Sequence, residues 1–187
     1  MTKEKSKSEK CGTLIFAILF FCYCMCYVSR SGWTSALTEI GTSEVASKSM
    51  LGIVSTAYFI SYGAMQLIIC TFVDKVDPRK LMSLGLFGSA LLNLAMALVG
   101  DVRLMIAVWF FNGIFQALVW TPLVKIMANW LPEGMRAKAG TIISITFPLG
   151  TLISYGLSSV ILSFTSWKYI FFFSFIFLII SSFLSFL

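Results

Sequence analysis

The sequence predicts an all-α membrane protein built as a bundle of six transmembrane helices, and three observations predict it. Of 187 residues, 58% are hydrophobic and 16% aromatic, with a mean hydropathy of +0.91. A soluble domain of this length cannot cover so much apolar surface, so lipid must be the solvent for most of it. Charged residues make up 12% and gather in short blocks between long apolar runs. Six of those runs are long enough to cross a bilayer at about 1.5 Å per residue.

The first ten residues, "MTKEKSKSEK", are polar and lysine-rich. The apolar run after them is long, and no small-residue cleavage site precedes the next span. Residues 1–10 are therefore read as a short cytoplasmic tail and 11–187 as the bundle. The expected spans are Gly12–Leu37, Met50–Val73, Lys80–Gly100, Val102–Met127, Ala139–Phe164 and Trp167–Leu187. Only a "GD" turn at Asp101 separates the third from the fourth, which makes them antiparallel neighbours. With the N-terminus cytoplasmic, the inner segments carry nine basic residues (Lys3, Lys5, Lys7, Lys10, Lys75, Arg79, Lys80, Arg136, Lys138) and the outer segments three (Lys48, Arg103, Lys168). The positive-inside rule then sets both ends of the chain in the cytoplasm of a multi-pass cell-membrane protein. The formal charge of +6 is topological in this reading, and nucleic acid is not an expected partner. The last span runs to the final residue, an ending expected of half a larger molecule, whether a shortened chain or a subunit completed by a partner.

Residues three and four apart share a helix face, and four spans carry polar or aromatic stripes at that spacing. These are Tyr23, Tyr27, Arg30 and Thr34 in the first, and Tyr58, Tyr62 and Gln66 in the second. The fourth carries Trp109, Asn112, Gln116 and Trp120, and the fifth Ser144, Pro148, Thr151 and Tyr155. Amides in hydrocarbon need partners. They either pack helices together or line a shared polar cavity, and stripes on four helices favour the cavity. Pro148 with Gly150 fits a kinked helix lining it. The third and sixth spans are plainer, and the phenylalanine-rich sixth is expected to face lipid. Arg30 has two readings: it marks the exit from the membrane, or it sits in a water-filled cavity and binds an anion. The loop "DKVDPRK" (Asp74, Lys75, Asp77, Arg79, Lys80) either bridges helix ends through charge pairs or is a solvated turn.

Enzyme classes find little support. There is no histidine, no nucleophile sits with a base, and no metal or cofactor is called for. Cys22 and Cys26 share a helix face while Cys24 points elsewhere, so the three cannot converge on one metal and are read as small apolar residues.

"DKVDPRK" resembles the loop between the second and third helices of the major facilitator superfamily, with Cys70 where that pattern usually opens on glycine. "NGIFQALVWTPLVKIMANW" (Asn112–Trp130) resembles the fourth helix of the organophosphate:phosphate antiporters, the exchangers of glycerol 3-phosphate and hexose 6-phosphate. "SYGAMQ" is similar to their second helix and "YVSRSGWTSAL" to their first. The resemblance covers nearly the whole chain and implies one six-helix half of such a fold. It implies secondary active transport of a small anion, an organophosphate or sugar phosphate exchanged for inorganic phosphate, by alternating access. It places Arg30 in the central cavity as the phosphate ligand. Tyr27, Thr34, Tyr58, Tyr62, Gln66, Asn112, Gln116 and Trp120 are the expected lining of the same site. The first span can extend past Arg30 to Leu37, because "SGWTSAL" carries no charge. If the cavity reading fails, Glu39 or Glu44 is the expected partner of Arg30. Two positions depart from the glycerol-phosphate members, which carry a lysine where Gln66 stands and a histidine where Phe147 stands. A weaker hold on a phosphate dianion is implied, and with it another anion or a sugar as substrate. The family's second arginine belongs to the other bundle, so the expected partners are the bilayer, the anion, and a C-terminal six-helix bundle or a second copy. Alternatives are a membrane sensor of a sugar phosphate, a half-size homodimeric carrier, and a truncated, inactive chain.

Overall fold

The computed structural model describes residues 2–42 and 47–186, with side chains from residue 11 onward. The lysines of the tail and Glu44 lie outside those described side chains. Helix α1 (Thr2–Ile40) runs 39 residues, continuing the expected first span in both directions. Ser47 accepts a hydrogen bond from the Met50 amide to start α2 (Lys48–Phe72). After a 3-10 turn over Val73–Lys75, Asp77 caps α3 (Pro78–Leu98), accepting from Arg79 N at 2.9 Å with Pro78 as the first helical residue. Asp101 caps α4 (Val102–Trp130) in the same way, from Arg103 N at 2.8 Å. All six spans are present as helices long and apolar enough to cross a membrane.

The fifth span is interrupted. It begins at α5 (Glu133–Ile143), breaks at Ser144 and Ile145, and resumes as α6 (Thr146–Phe164). The expected kink at Pro148 therefore falls about one turn earlier. A proline ring clashes with the carbonyl four residues before it, here Ser144, and leaves that carbonyl without its amide. The chain responds with tightened bonds, Ser144 N to Thr141 O at 3.3 Å and Ile145 N to Ile142 O at 3.0 Å.

Helix α7 (Lys168–Phe186) corrects a second expectation. Phe172, Phe173, Ile176, Ile180 and Phe183 do point outward, but its other face is a buried serine face of Ser174, Ser181, Ser182 and Ser185. That face packs against α1 and α3. The Ser83 hydroxyl donates to Ser182 O, and the Ser182 hydroxyl to Ser83 O, each at 3.0 Å. Serines let backbones approach where larger side chains hold them apart. The phenylalanines had masked this face in the sequence.

Around the bundle α2 packs on α4, α4 on α3, α3 on α7, α7 on α1, and α1 on α6. Helices α2 and α6 make no extended contact with each other, which leaves one side open with α1 and α4 visible between them. Cys22 and Cys26 join the core cluster with Leu86 and Leu178, whereas Cys24 sits in another with Leu149, so the cysteines diverge as their spacing predicts.

The α1–α6 contact depends on Gly150, where an added Cβ would meet Cys24 O at 2.8 Å and the Tyr27 Cβ at 2.6 Å. Gly150→Ala is expected to destabilise the bundle by about 1–3 kcal/mol. Gly63→Ala has nothing within 4 Å of the new carbon and should hold or raise stability. Thermal melts of the two variants in detergent check this, and equal melting temperatures would contradict it.

Candidate functional site

Arg30 leaves α1 toward the open side, half-buried. Its guanidinium carbon lies 5.2, 5.3 and 4.7 Å from the ring centroids of Tyr27, Tyr58 and Tyr62. Two of those rings come from α2, where the Tyr58–Tyr62 spacing of one turn stacks them 6.0 Å apart. Arginine over desolvated aromatic faces gains on the order of 2 kcal/mol per good contact. Its Nε donates to Gln116 Oε1 at 3.4 Å, and the Tyr58 hydroxyl donates to the same oxygen at 2.7 Å. Among the described residues no carboxylate pairs with Arg30. Glu39 does not reach it. The guanidinium is thus held by neutral partners, and no carboxylate among the described residues cancels its charge.

Beside it opens a cleft of about 370 Å³ lined by Tyr23, Tyr27, Tyr62, Trp120, Ile143, Ser144, Thr146 and Phe147. Trp120 lies 5.1 Å from Tyr23, and the Tyr23 and Tyr27 hydroxyls sit 3.1 Å apart. The break between α5 and α6 supplies the far wall.

Of the stripe residues, then, Tyr27, Arg30, Tyr58, Tyr62, Gln116 and Trp120 converge. Others separate. Asn112, expected on the cavity wall, is 0% exposed and lies behind Gln116, where its Oδ1 accepts from Ser89 on α3 at 2.6 Å. Its Nδ2 has no partner among the described residues, a cost of about 1–3 kcal/mol for a buried donor. Thr34 opens instead into an outer groove with Ser35, Thr38, Tyr155 and Ser159. Gln66 gives its amide protons to Thr121, bridging α2 to α4. Trp109 is a core residue against Trp33 and Phe171.

The charge block does bridge helix ends. Asp74 pairs with Lys125 of α4 at 2.9 Å, and the same ammonium donates to Val73 O at 2.9 Å. The Arg79 guanidinium carbon lies 4.7 Å above the Trp130 ring, while Lys75 and Lys80 are exposed. Lys125 was the residue missed. It stands alone in an apolar helix, and no spacing rule connects it to the end of α2. Because Asp74 is well exposed, Asp74→Asn should cost less than about 1 kcal/mol. Lys125→Met, which also releases the Val73 carbonyl, should cost more, as comparative melts at low and high salt would reveal.

Sequence comparison fits this architecture. The family model described as Major Facilitator Superfamily matches residues 19–187. The chain belongs to that superfamily. Among its facilitator relatives is the "Glycerol-3-phosphate transporter" of Bacillus subtilis, 32% identical over 179 residues, covering 91% of this chain and 39% of the relative. Another is the "Probable hexose phosphate transport protein" of Chlamydia trachomatis, 26% identical over 82% of this chain and 34% of the relative. The chain thus spans little more than a third of the length of these relatives. A crystal structure of a bacterial homolog of the human lysosomal transporter Spinster shares the fold, with a TM-score of 0.73 at 16% identity over 94% of this chain and 41% of that one.

Proposed function

We propose that this facilitator bundle forms half of a secondary transporter exchanging a small organophosphate for inorganic phosphate by alternating access, with Arg30 holding the phosphoryl group. The observation that carries this reading is a guanidinium with no carboxylate partner among the described residues, set against Tyr27 and Tyr62, which also line the adjoining cleft. A planar guanidinium donates paired hydrogen bonds that match two phosphate oxygens. Partial burial strengthens the attraction, and an anion supplies the counter-charge that the described residues lack. The printed names of the two relatives, transporters of glycerol 3-phosphate and hexose phosphate, support that substrate class.

The open side between α2 and α6 is where a second six-helix bundle would close the site, from the same polypeptide or another. The basic bias toward one end supports a cytoplasmic N-terminus, with the Asp74–Lys125 pair on the same side. The test is binding of radiolabelled phosphate to the purified chain, competed with glycerol 3-phosphate, hexose 6-phosphate and the parent glycerol and hexose. Competition by the phosphorylated compounds alone supports the reading. Equal competition by the uncharged ones, or no phosphate binding, would sink it.

A further inference from the structure

Gln116 is an amide with two unlike ends, and chemistry decides which end faces which partner. Arg30 has only donors, so the atom facing its Nε at 3.4 Å must be the carbonyl oxygen. The amide nitrogen is then turned to Ser89, whose oxygen accepts from it at 3.2 Å. A serine hydroxyl has a single proton, and this one goes to Asn112 Oδ1 at 2.6 Å. The hydrogen-bond chain therefore runs one way, from Gln116 Nε2 to Ser89 to Asn112. Asn112 lies at its buried end, with Nδ2 unpartnered among the described residues, so its one bonding act on this chain is to accept that proton.

Without an acceptor at Asn112 the order reverses. The Ser89 proton turns back to Gln116, whose oxygen rotates to receive it, and an NH2 group faces the guanidinium. A donor facing a donor releases Arg30 Nε and removes the acceptor of Tyr58. A second arm steadies the same turn of α3. Asn93 donates to Ser89 O at 2.8 Å and accepts from the hydroxyl of Ser29, the neighbour of Arg30, at 2.9 Å.

We propose that Asn112 is a positioning residue for the anion site: by taking the Ser89 proton it fixes Gln116 with its oxygen toward Arg30, and so holds the guanidinium beside Tyr27 and Tyr62, at the edge of the cleft those rings line. The proposal rests on the reading of Arg30 as the phosphate ligand. It gives a role to an amide that cannot itself touch a substrate, and it explains why a buried donor is left unpaired.

The experiment uses the purified chain in phosphatidylcholine nanodiscs, with inorganic phosphate as the probe. Protection of Arg30 from phenylglyoxal, read on its own peptide by mass spectrometry, gives a half-protecting phosphate concentration. Asn112→Leu, similar in volume and unable to accept, should raise that concentration about tenfold. Asn112→Ala, smaller and also unable to accept, should shift it in the same direction, so the result does not depend on whether Asn112→Leu folds. Ser89→Ala, by contrast, removes the proton that would turn Gln116 over and should shift it less than about twofold. In a Gln116→Leu background, adding Asn112→Leu should change it less than about twofold, because the two act in series. An equal effect in both backgrounds, none from either Asn112→Leu or Asn112→Ala, or a Ser89→Ala shift as large as theirs overturns the proposal while leaving the anion reading intact. No phosphate protection of Arg30 in the wild type overturns both.

Discussion

Arg30→Met should abolish phosphate binding while leaving the bundle as stable as before or more so. Binding falls because the charge and the forked donors disappear together. Hydrogen bonds to charged groups are worth about 1.5–3 kcal/mol each, so losing a bidentate pair weakens phosphate by about a hundredfold or more. Stability should move the other way. Among the described residues the guanidinium has no carboxylate partner, and its neighbours are three tyrosine side chains and the Gln116 oxygen, all neutral. The cost of holding a partly desolvated charge without a counterion offsets its ring contacts, so an apolar side chain of similar length should leave stability nearly unchanged or raise it slightly. Arg30→Lys should fall between, keeping the charge but losing the fork, with roughly a tenfold weaker grip. Phosphate titrations and melts on the same preparations separate the outcomes. Arg30→Met that melts much lower and still binds phosphate would make Arg30 a structural residue.

The contrast between what stripes revealed and what they hid follows from what periodicity measures. Spacing by three and four assigns side chains to a face of their own helix, so Tyr27 with Arg30, and Tyr58 with Tyr62, were legible as units. The count of spans was legible because apolar length is a local property, and the superfamily was legible through the resemblance carried by "DKVDPRK" and the Asn112–Trp130 segment. Which helix stands opposite a face is a tertiary fact. Ser89 and Asn93 are a lone polar pair, one turn apart, in a helix that otherwise reads as plain, yet they sit 0% exposed at the hub between α1 and α4. Asn112 has the right spacing for the cavity stripe, but the stripe is wider than the cavity, and its edge turns under toward α3. Lys125 shows the same limit, being tied to Asp74 by the meeting of α2 and α4 and not by any pattern within either. The break before α6 was readable in kind from Pro148 and misplaced by a turn, because proline acts on the carbonyl four residues behind it.

Gln116→Glu should remove phosphate binding as fully as the loss of Arg30, with almost no change of shape. The substitution exchanges an NH2 group for an oxygen and leaves every other atom in place. A carboxylate at this position lies 3.4 Å from Arg30 Nε and 2.7 Å from the Tyr58 hydroxyl, so it becomes the counter-charge that the site otherwise takes from its ligand. At an effective dielectric constant near 20, two unit charges about 4 Å apart attract by about 4 kcal/mol, which phosphate must then overcome. A loss of about a hundredfold or more in affinity is expected. The neighbourhood accommodates the change, since the Ser89 proton can turn from Asn112 to the new oxygen. Melting temperature should therefore hold or rise. The outcome is informative because charge is the only variable. If Gln116→Glu binds phosphate as the wild type does, the anion is not held at Arg30. If it loses phosphate but binds an uncharged sugar unchanged, the cleft recognises the organic moiety through its aromatic walls independently of the charge.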